Sequence, residues 1–235
     1  MGLREKELIG FMGVIGYKFN DIKLLNNALT HSSYMNEKRA ETKINNERLE
    51  FLGDAILDAV ISEYLYLRLA QSEEGVLTRV RANIVCESSL AKCATTLNIG
   101  DVILLGKGEV NTGGRQRSSI LADAMEAILG SLYLDGGMDN AKKVILSIFA
   151  ETIENAIAGK LSTDYKTMLQ ELIQSMKENQ PVAYETVKEE GPDHNKIFYV
   201  EVKINDVVKG KGKGKNKKEA ERNAAKDALD ALESE

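Results

Sequence analysis

Apolar residues recur at intervals of three and four through most of the first 158 residues. The pattern is clear over residues 24–29 and again over residues 144–153. This period places apolar side chains on one face of an α-helix. No strand-like alternation of useful length interrupts it. The sequence therefore predicts an all-α domain over residues 1–158.

The pattern changes after Gly159, which stands where the last helix of this domain would be capped. Residues 159–163 read as a short linker. A helix is expected from about 164 to 178, extended runs over 182–187, 196–204 and from 207 onward, and a second helix from 217 to about 232. The sequence thus predicts a small α+β (α-β-β-β-α) domain over residues 164–235.

Composition excludes several classes of protein. Of 235 residues, 43% are hydrophobic and 29% charged, which is typical of a chain with a packed core rather than a disordered one. With Cys86 and Cys93 alone there is no disulfide framework and no zinc-binding C-x-x-C pair, and both are expected to be buried structural thiols. No targeting signal or membrane-length apolar run is evident, so we expect a cytoplasmic protein with no membrane partner.

Two predicted helices each carry acidic residues on one narrow face. The residues of the first strip fall within an arc of about 80°, and those of the second are three positions apart. The strips are Glu47, Glu50, Asp54 and Asp58, and Asp123 and Glu126. Neither strip is interspersed with the lysines that usually balance an exposed acidic face. A glycine interrupts each helix, Gly53 and Gly130, at a cost of about 1 kcal/mol, which suggests that the two helices approach closely.

If these helices pack together, Glu50, Asp54, Asp123 and Glu126 converge. Clustered carboxylates repel one another unless a cation neutralises them, and an all-oxygen ligand set favours Mg²⁺ or Mn²⁺ over zinc. Such a site suits hydrolysis of phosphate esters. The spacing alone leaves two interpretations open, an acidic metal site and a pair of solvated helix faces.

A lysine-rich run lies in the second domain. Six lysines and no acid occur between Val207 and Lys218, alternating with glycine as far as residue 215. The run begins in the third expected extended segment and ends at a helix start, where Asn216 is a good N-cap and Glu219 completes a capping-box-like pair. Lys217 and Lys218 on the first turn, beside free backbone N–H groups, suit the phosphate backbone of a nucleic-acid duplex. A flexible, solvated loop is the alternative.

Several segments together resemble one family. Residues 46–55 (NERLEFLGDA) resemble the signature of the bacterial ribonuclease III family, and residues 16–19, 29–34 and 121–127 match its other blocks. Residues 164–171, 191–194 and 217–221 resemble its double-stranded-RNA-binding domain. The resemblance covers nearly the whole chain in order. It implies a homodimeric, Mg²⁺-dependent endoribonuclease (Mn²⁺ being a conceivable substitute) that hydrolyses double-stranded RNA such as ribosomal precursors. Products would carry 5′-phosphate and 3′-hydroxyl ends with short 3′ overhangs.

The resemblance also implies roles for individual residues. Metal ligands would be Glu50, Asp54, Asp123 and Glu126, with Asp54 and Glu126 the most critical for catalysis. Glu47 and Glu74 would support the site. Phe51 would pack across a dimer interface. Contacts with RNA would come from Thr167, Gln170, Glu171, His194, Lys217 and Lys218. Asp58, His31 and Tyr34 are interpreted as structural.

Two other functions remain as alternatives. A non-catalytic RNA-binding protein could keep a degenerate nuclease domain for dimerisation, although it would have no use for four converging carboxylates. A metal hydrolase for small phosphates would leave the second domain unexplained.

Overall fold

The structure is a computed structural model that describes residues 2–38, 44–159, 165–175, 181–192 and 196–232. The chain divides into two compact units, Met1–Leu161 and Ser162–Glu235. We call them the helical unit and the α+β unit. Most of the predicted linker, residues 160–163, lies outside the described residues.

Over its described residues the helical unit contains a short 3₁₀ helix (Gly114–Gln116) and ten α-helices. The α-helices are α1 (Leu3–Ile15), α2 (Ile22–Ala28), α3 (Ser32–Lys38), α4 (Glu47–Arg68), α5 (Glu74–Val85), α6 (Glu87–Thr96), α7 (Ile99–Val102), α8 (Lys107–Asn111), α9 (Ser118–Ile148) and α10 (Ala150–Ile157). The predicted all-α architecture is confirmed. Gly159 follows α10 with a φ of +66°, the left-handed conformation expected of a glycine at a helix end.

Helices α4 and α9 form the centre of this unit. Leu57 and Ile61 of α4 and Met125 and Ile128 of α9 are completely buried in one apolar core. Within the described residues, no helix combines the length and apolar character needed to cross a bilayer.

The close approach predicted from Gly53 and Gly130 is confirmed. A Cβ atom on Gly53 would overlap the backbone carbonyl oxygen of Glu126, and one on Gly130 would overlap that of Leu49. The two glycines also face each other, because a Cβ on Gly130 would lie 3.0 Å from the backbone nitrogen of Gly53. The backbones of α4 and α9 therefore touch at the level of the acidic strips.

The α+β unit has the predicted order of elements. Helix α11 (Tyr165–Ser175) precedes strands β1 (Val182–Glu190), β2 (Ile197–Ile204) and β3 (Val207–Gly214), and α12 (Lys217–Leu232) follows. The strands form one antiparallel sheet in the order β1-β2-β3. Apolar side chains of β2 pack with those of α11 and α12 on the inner face of the sheet, which leaves the outer face uncovered within the described residues.

Most of the Lys-Gly run forms β3, so the extended run expected from residue 207 onward is confirmed and the alternative of a flexible loop is wrong. A Cβ on Gly212 would overlap the backbone of Ala220, and one on Gly210 would overlap that of Ala224. Glycine therefore recurs because α12 lies directly against this strand. Side chains alternate across a strand, so the intervening lysines project from the outer face of the sheet.

The free edge of β3 is covered by side chains of α12. The backbone N–H of Lys211 donates to Asp227 at 2.9 Å, and the Asn223 amide donates to the carbonyl oxygen of Lys213 at 2.8 Å. An uncovered, glycine-rich edge would be a template for pairing with another chain. These bonds remove that hazard and hold the lysine-bearing strand in place.

Candidate active site

Three of the four predicted metal ligands form one group. Glu50 of α4 and Asp123 and Glu126 of α9 each have a carboxylate oxygen within 4.8 Å of the others. All three side chains are partly buried. They meet because Gly53 and Gly130 allow the two helices to touch one turn away.

Asp54 does not belong to this group of three. Its side chain is exposed on α4, one turn after Glu50. It is nevertheless close enough to act electrostatically. Among the neighbouring charges, that of Asp54 raises the pKa of Glu126 the most. The structure therefore places Asp54 beside the cluster and not among the three converging oxygens.

The three carboxyl groups of the cluster all have raised pKa values, because they are partly buried and close to other charges. Burial, followed by the charges of Asp54, Glu50 and Asp123, raises the pKa of Glu126 to about 8. Burial raises the pKa of Glu50 as well, and the neighbouring carboxylates add to the effect. For Asp123, burial again raises the pKa, in opposition to the charge of His31. Ionisation of all three carboxyl groups at once is therefore unfavourable in the metal-free protein.

This arrangement fits a divalent cation. Partly buried carboxylates whose pKa values stay raised are not fully compensated by nearby positive charge, and hard oxygen ligands select Mg²⁺-like ions. The donor set therefore agrees with the metal site predicted from the two acidic strips.

The remaining acidic residues of the two strips are arranged differently. Asp58 is partly buried, and its Oδ1 has no hydrogen-bond partner within the described residues; its charge also raises the pKa of Glu126. Glu47 is exposed, and its charge raises the pKa of Glu50. Glu74, at the start of α5, is exposed and accepts a hydrogen bond from the Thr78 hydroxyl at 2.8 Å.

Two further residues lie near the cluster: Glu87, which the sequence analysis missed, and His31, which it interpreted as structural. Glu87, the first residue of α6, raises the pKa of Asp123 by its charge, and His31 opposes it. The His31 ring also binds Ser33, with Nδ1 2.8 Å from the hydroxyl oxygen. No local signal could identify Glu87, because only the packing of α6 against α9 brings it there.

Other predicted residues of this unit have mixed outcomes. Phe51 is 81% exposed, a large apolar ring on the surface of α4. Cys93 is buried as expected, whereas the prediction for Cys86 is wrong: it lies between α5 and α6, at the N-cap position of α6, and is partly exposed.

Lys217 and Lys218 stand exposed on the first turn of α12. Asn216 accepts a hydrogen bond from the N–H of Glu219 at 2.9 Å, as an N-cap should. The Glu219 carboxylate accepts from the N–H of Lys215 at 2.7 Å, so the second half of the expected capping box is displaced by one residue. The Lys217 ammonium lies 3.4 Å from Glu189.

The other predicted RNA contacts are only partly described. Gln170 is exposed on α11. The side chains of Thr167 and Glu171, and the whole of His194, lie outside the described part of the chain.

The comparisons with known proteins define the class. Residues 21–153 match the model of ribonuclease-III-like proteins, and residues 165–232 match the double-stranded RNA binding motif. A helical unit with an acidic cluster followed by this motif defines an endoribonuclease of double-stranded RNA that depends on divalent metal.

Proteins similar in sequence identify the family within this class. The chain is 54% identical to ribonuclease 3 of Caldanaerobacter subterraneus subsp. tengcongensis, over 93% of this chain and 95% of that protein. It is 51% identical to ribonuclease 3 of Clostridium tetani, over 93% and 92%. The nuclease domain of ribonuclease III from Campylobacter jejuni is a similar structure, with a TM-score of 0.56 and 44% identity, covering 60% of this chain and 95% of that one. The chain belongs to the ribonuclease III family.

Proposed function

We propose that this protein is a Mg²⁺-dependent endoribonuclease that hydrolyses phosphodiester bonds of duplex RNA and leaves 5′-phosphate and 3′-hydroxyl ends with short 3′ overhangs. The observation that carries the proposal is the group of three carboxylates within 4.8 Å. Mn²⁺ shares the preference for oxygen ligands and is the natural substitute.

The residues of the cluster have distinct tasks in this proposal. Glu50, Asp123 and Glu126 would hold the cation, and Asp54 and Glu126 are the residues most critical for catalysis. A divalent ion bound there supplies an activated water and neutralises the departing 3′ oxygen. Glu126, with a pKa of about 8, keeps a proton at neutral pH in the metal-free protein and gives it up as a ligand. Exposed Asp54 is available to water and substrate beside the partly buried oxygens of the other three residues.

Other residues support the site and the assembly. Glu47 adds negative charge next to Glu50, and Glu74 is assigned a supporting role. We propose a homodimer in which exposed Phe51 packs against a second copy; the similar Campylobacter jejuni structure is described as having a region involved in dimer formation. Two acidic sites would then cut the two strands. A cytoplasmic location and ribosomal or messenger RNA precursors as substrates complete the proposal.

The cleavage assay that tests this function uses a long, perfect RNA duplex with and without Mg²⁺. We expect short duplexes with 5′-phosphate ends in the presence of Mg²⁺, no cutting in EDTA, and no cutting of single-stranded RNA or of a DNA duplex. Tight duplex binding without cutting in either metal condition would contradict the proposal and favour the non-catalytic RNA-binding protein.

A second expectation concerns the duplex contacts. Replacing Lys217 and Lys218 together with Gln removes two charges at the start of α12, so duplex affinity should fall and its dependence on salt should weaken. The slope of log K against log salt should decrease by about two, one for each lost phosphate contact. Fluorescence anisotropy with a labelled duplex in EDTA measures both quantities. An unchanged slope would remove these lysines from the RNA contact.

A further inference from the structure

The outer face of the sheet in the α+β unit contains a groove of about 470 Å³. The predicted duplex contacts within the described residues lie on α11 and at the start of α12, and these helices pack on the inner face. The groove therefore belongs to a different surface. Its side chains are Val187, Lys188, Tyr199, Glu201, Lys211 and Lys213.

The local sequence shapes this groove. The register of β1 against β2 shifts between Thr186 and Lys188, and this bulge leaves Val187 50% exposed. Bulges re-aim side chains in this way next to functional surfaces. Tyr199 pairs with Lys188 on one side and with Lys213 on the other, so an aromatic ring stands between two lysines.

The charge of the groove is positive. Three lysines and one glutamate line it, and Glu190 lies at its margin; Glu201 binds Lys211 at 2.8 Å and Glu190 binds Lys188 at 3.0 Å, which leaves an excess of one positive charge. Lys211 remains 72% exposed despite its contact with Glu201. Lys213 is exposed, and within the described residues its ammonium has no ion pair. An anion can therefore reach two ammonium groups beside the tyrosine ring.

We propose that this groove binds a single-stranded RNA segment, with one base stacked on Tyr199 and the flanking phosphates bound by Lys188, Lys211 and Lys213. An aromatic platform inside a basic groove is the combination that binds single strands, because every base has a face that can stack. This site would bind single-stranded RNA rather than a duplex, and binding there does not depend on the cleavage reaction.

The ring is available to a base. The Lys188 ammonium lies over it at 5.4 Å from the centroid and also binds Glu190, at 3.0 Å. Lys188 is 59% exposed, so this contact is a weak surface one that solvent screens. A stacked base replaces the contact with the ring, and a phosphate then competes with Glu190 for the Lys188 ammonium.

The test measures binding of a labelled single-stranded oligouridine to the full chain in EDTA, where no cleavage occurs. Tyr199→Leu should weaken this binding about tenfold, since stacking is lost while an apolar side chain remains. Tyr199→Phe keeps the ring and loses only the hydroxyl contact with Glu190, so it should bind like wild type. Lys213→Gln should weaken binding and reduce its salt dependence by about one charge.

A blunt RNA duplex serves as the second ligand. The Tyr199→Leu protein should bind it like wild type, whereas the Lys217→Gln/Lys218→Gln protein should lose duplex affinity and keep most of its single-strand affinity. Equal single-strand binding by wild type and Tyr199→Leu would overturn the proposal, as would an oligoglutamate peptide that competes as well as RNA. Duplex cleavage by wild type is scored separately, so the proposed nuclease function can fail or hold independently of this site.

Discussion

Replacing Glu126 with Gln should lower the rate of duplex cleavage about a thousandfold or more at saturating RNA and Mg²⁺, a loss of roughly 4 kcal/mol of transition-state stabilisation. The amide keeps the size of the side chain but provides one neutral oxygen in place of a charged carboxylate. A carboxylate oxygen of Glu126 lies within 4.8 Å of one from Glu50 and one from Asp123, so the substitution removes one of the three charged groups that would hold the cation. Single-turnover cleavage of a labelled duplex measures the loss, and duplex binding in EDTA should be unchanged.

The same substitution should stabilise the metal-free protein at high pH. Because the folded pKa of Glu126 is about 8 against an ordinary 4.5, the folded state binds a proton that the unfolded chain has released. The free energy of unfolding therefore falls as pH rises from about 4.5 to 8. The half-exposed carboxyl is screened by solvent, which reduces this penalty to about 1–2 kcal/mol. Glu126→Gln lacks it, so in EDTA at pH 8 its Tm should exceed that of wild type by roughly 2–6 °C.

This pair of results separates catalysis from folding. A thermal scan in EDTA at pH 5 and pH 8 should show the gain of Glu126→Gln at pH 8 only. Asp54→Asn serves as a companion: Asp54 is exposed and lies outside the three-carboxylate group, but its charge helps to raise the pKa of Glu126, so its loss of activity should come with a smaller gain in stability at pH 8 than that of Glu126→Gln. Wild-type cleavage by Glu126→Gln would refute the assignment of the site.

Local sequence patterns were sufficient for much of this site. The period of the apolar residues predicted the two acidic helices, and an (i, i+3) spacing placed Asp123 and Glu126 on one face of α9. Gly53 and Gly130 indicated that α4 and α9 touch, which the structure confirms. Each of these inferences depends on neighbours within a helix or on the size of one side chain.

What the sequence could not predict depends on contacts between distant segments. The position of Glu87 near Asp123 follows from the packing of α6 on α9, and no periodicity within α6 encodes it. The sequence left the Lys-Gly run open between an extended strand and a flexible loop, because glycine and lysine rarely favour strands. Its strand conformation follows from α12, against which only glycine fits at positions 210 and 212.

Gly53→Ala should impair both the fold and the activity of the helical unit. The new Cβ would overlap the backbone carbonyl oxygen of Glu126, and backbone atoms cannot move aside as a flexible side chain can. Separation of α4 from α9 should cost about 1–3 kcal/mol, even after the higher helix propensity of alanine is included. Since Glu50 lies on α4 and Glu126 on α9, the same movement spreads the carboxylates. A displacement of about 1 Å at a catalytic site lowers rates about a hundredfold.

Gly10→Ala in α1 is the matched control for this substitution. Gly10 is exposed in a helix, and a Cβ there meets nothing within 4 Å, so alanine should raise stability by up to about 1 kcal/mol and leave cleavage unchanged. Urea unfolding followed by circular dichroism, together with cleavage at increasing Mg²⁺, compares the two variants. If Gly53→Ala were as stable and active as Gly10→Ala, the contact between α4 and α9 would not be what brings the carboxylates together. If Gly53→Ala loses activity and high Mg²⁺ partly restores it, separation of the two helices has moved the metal ligands apart.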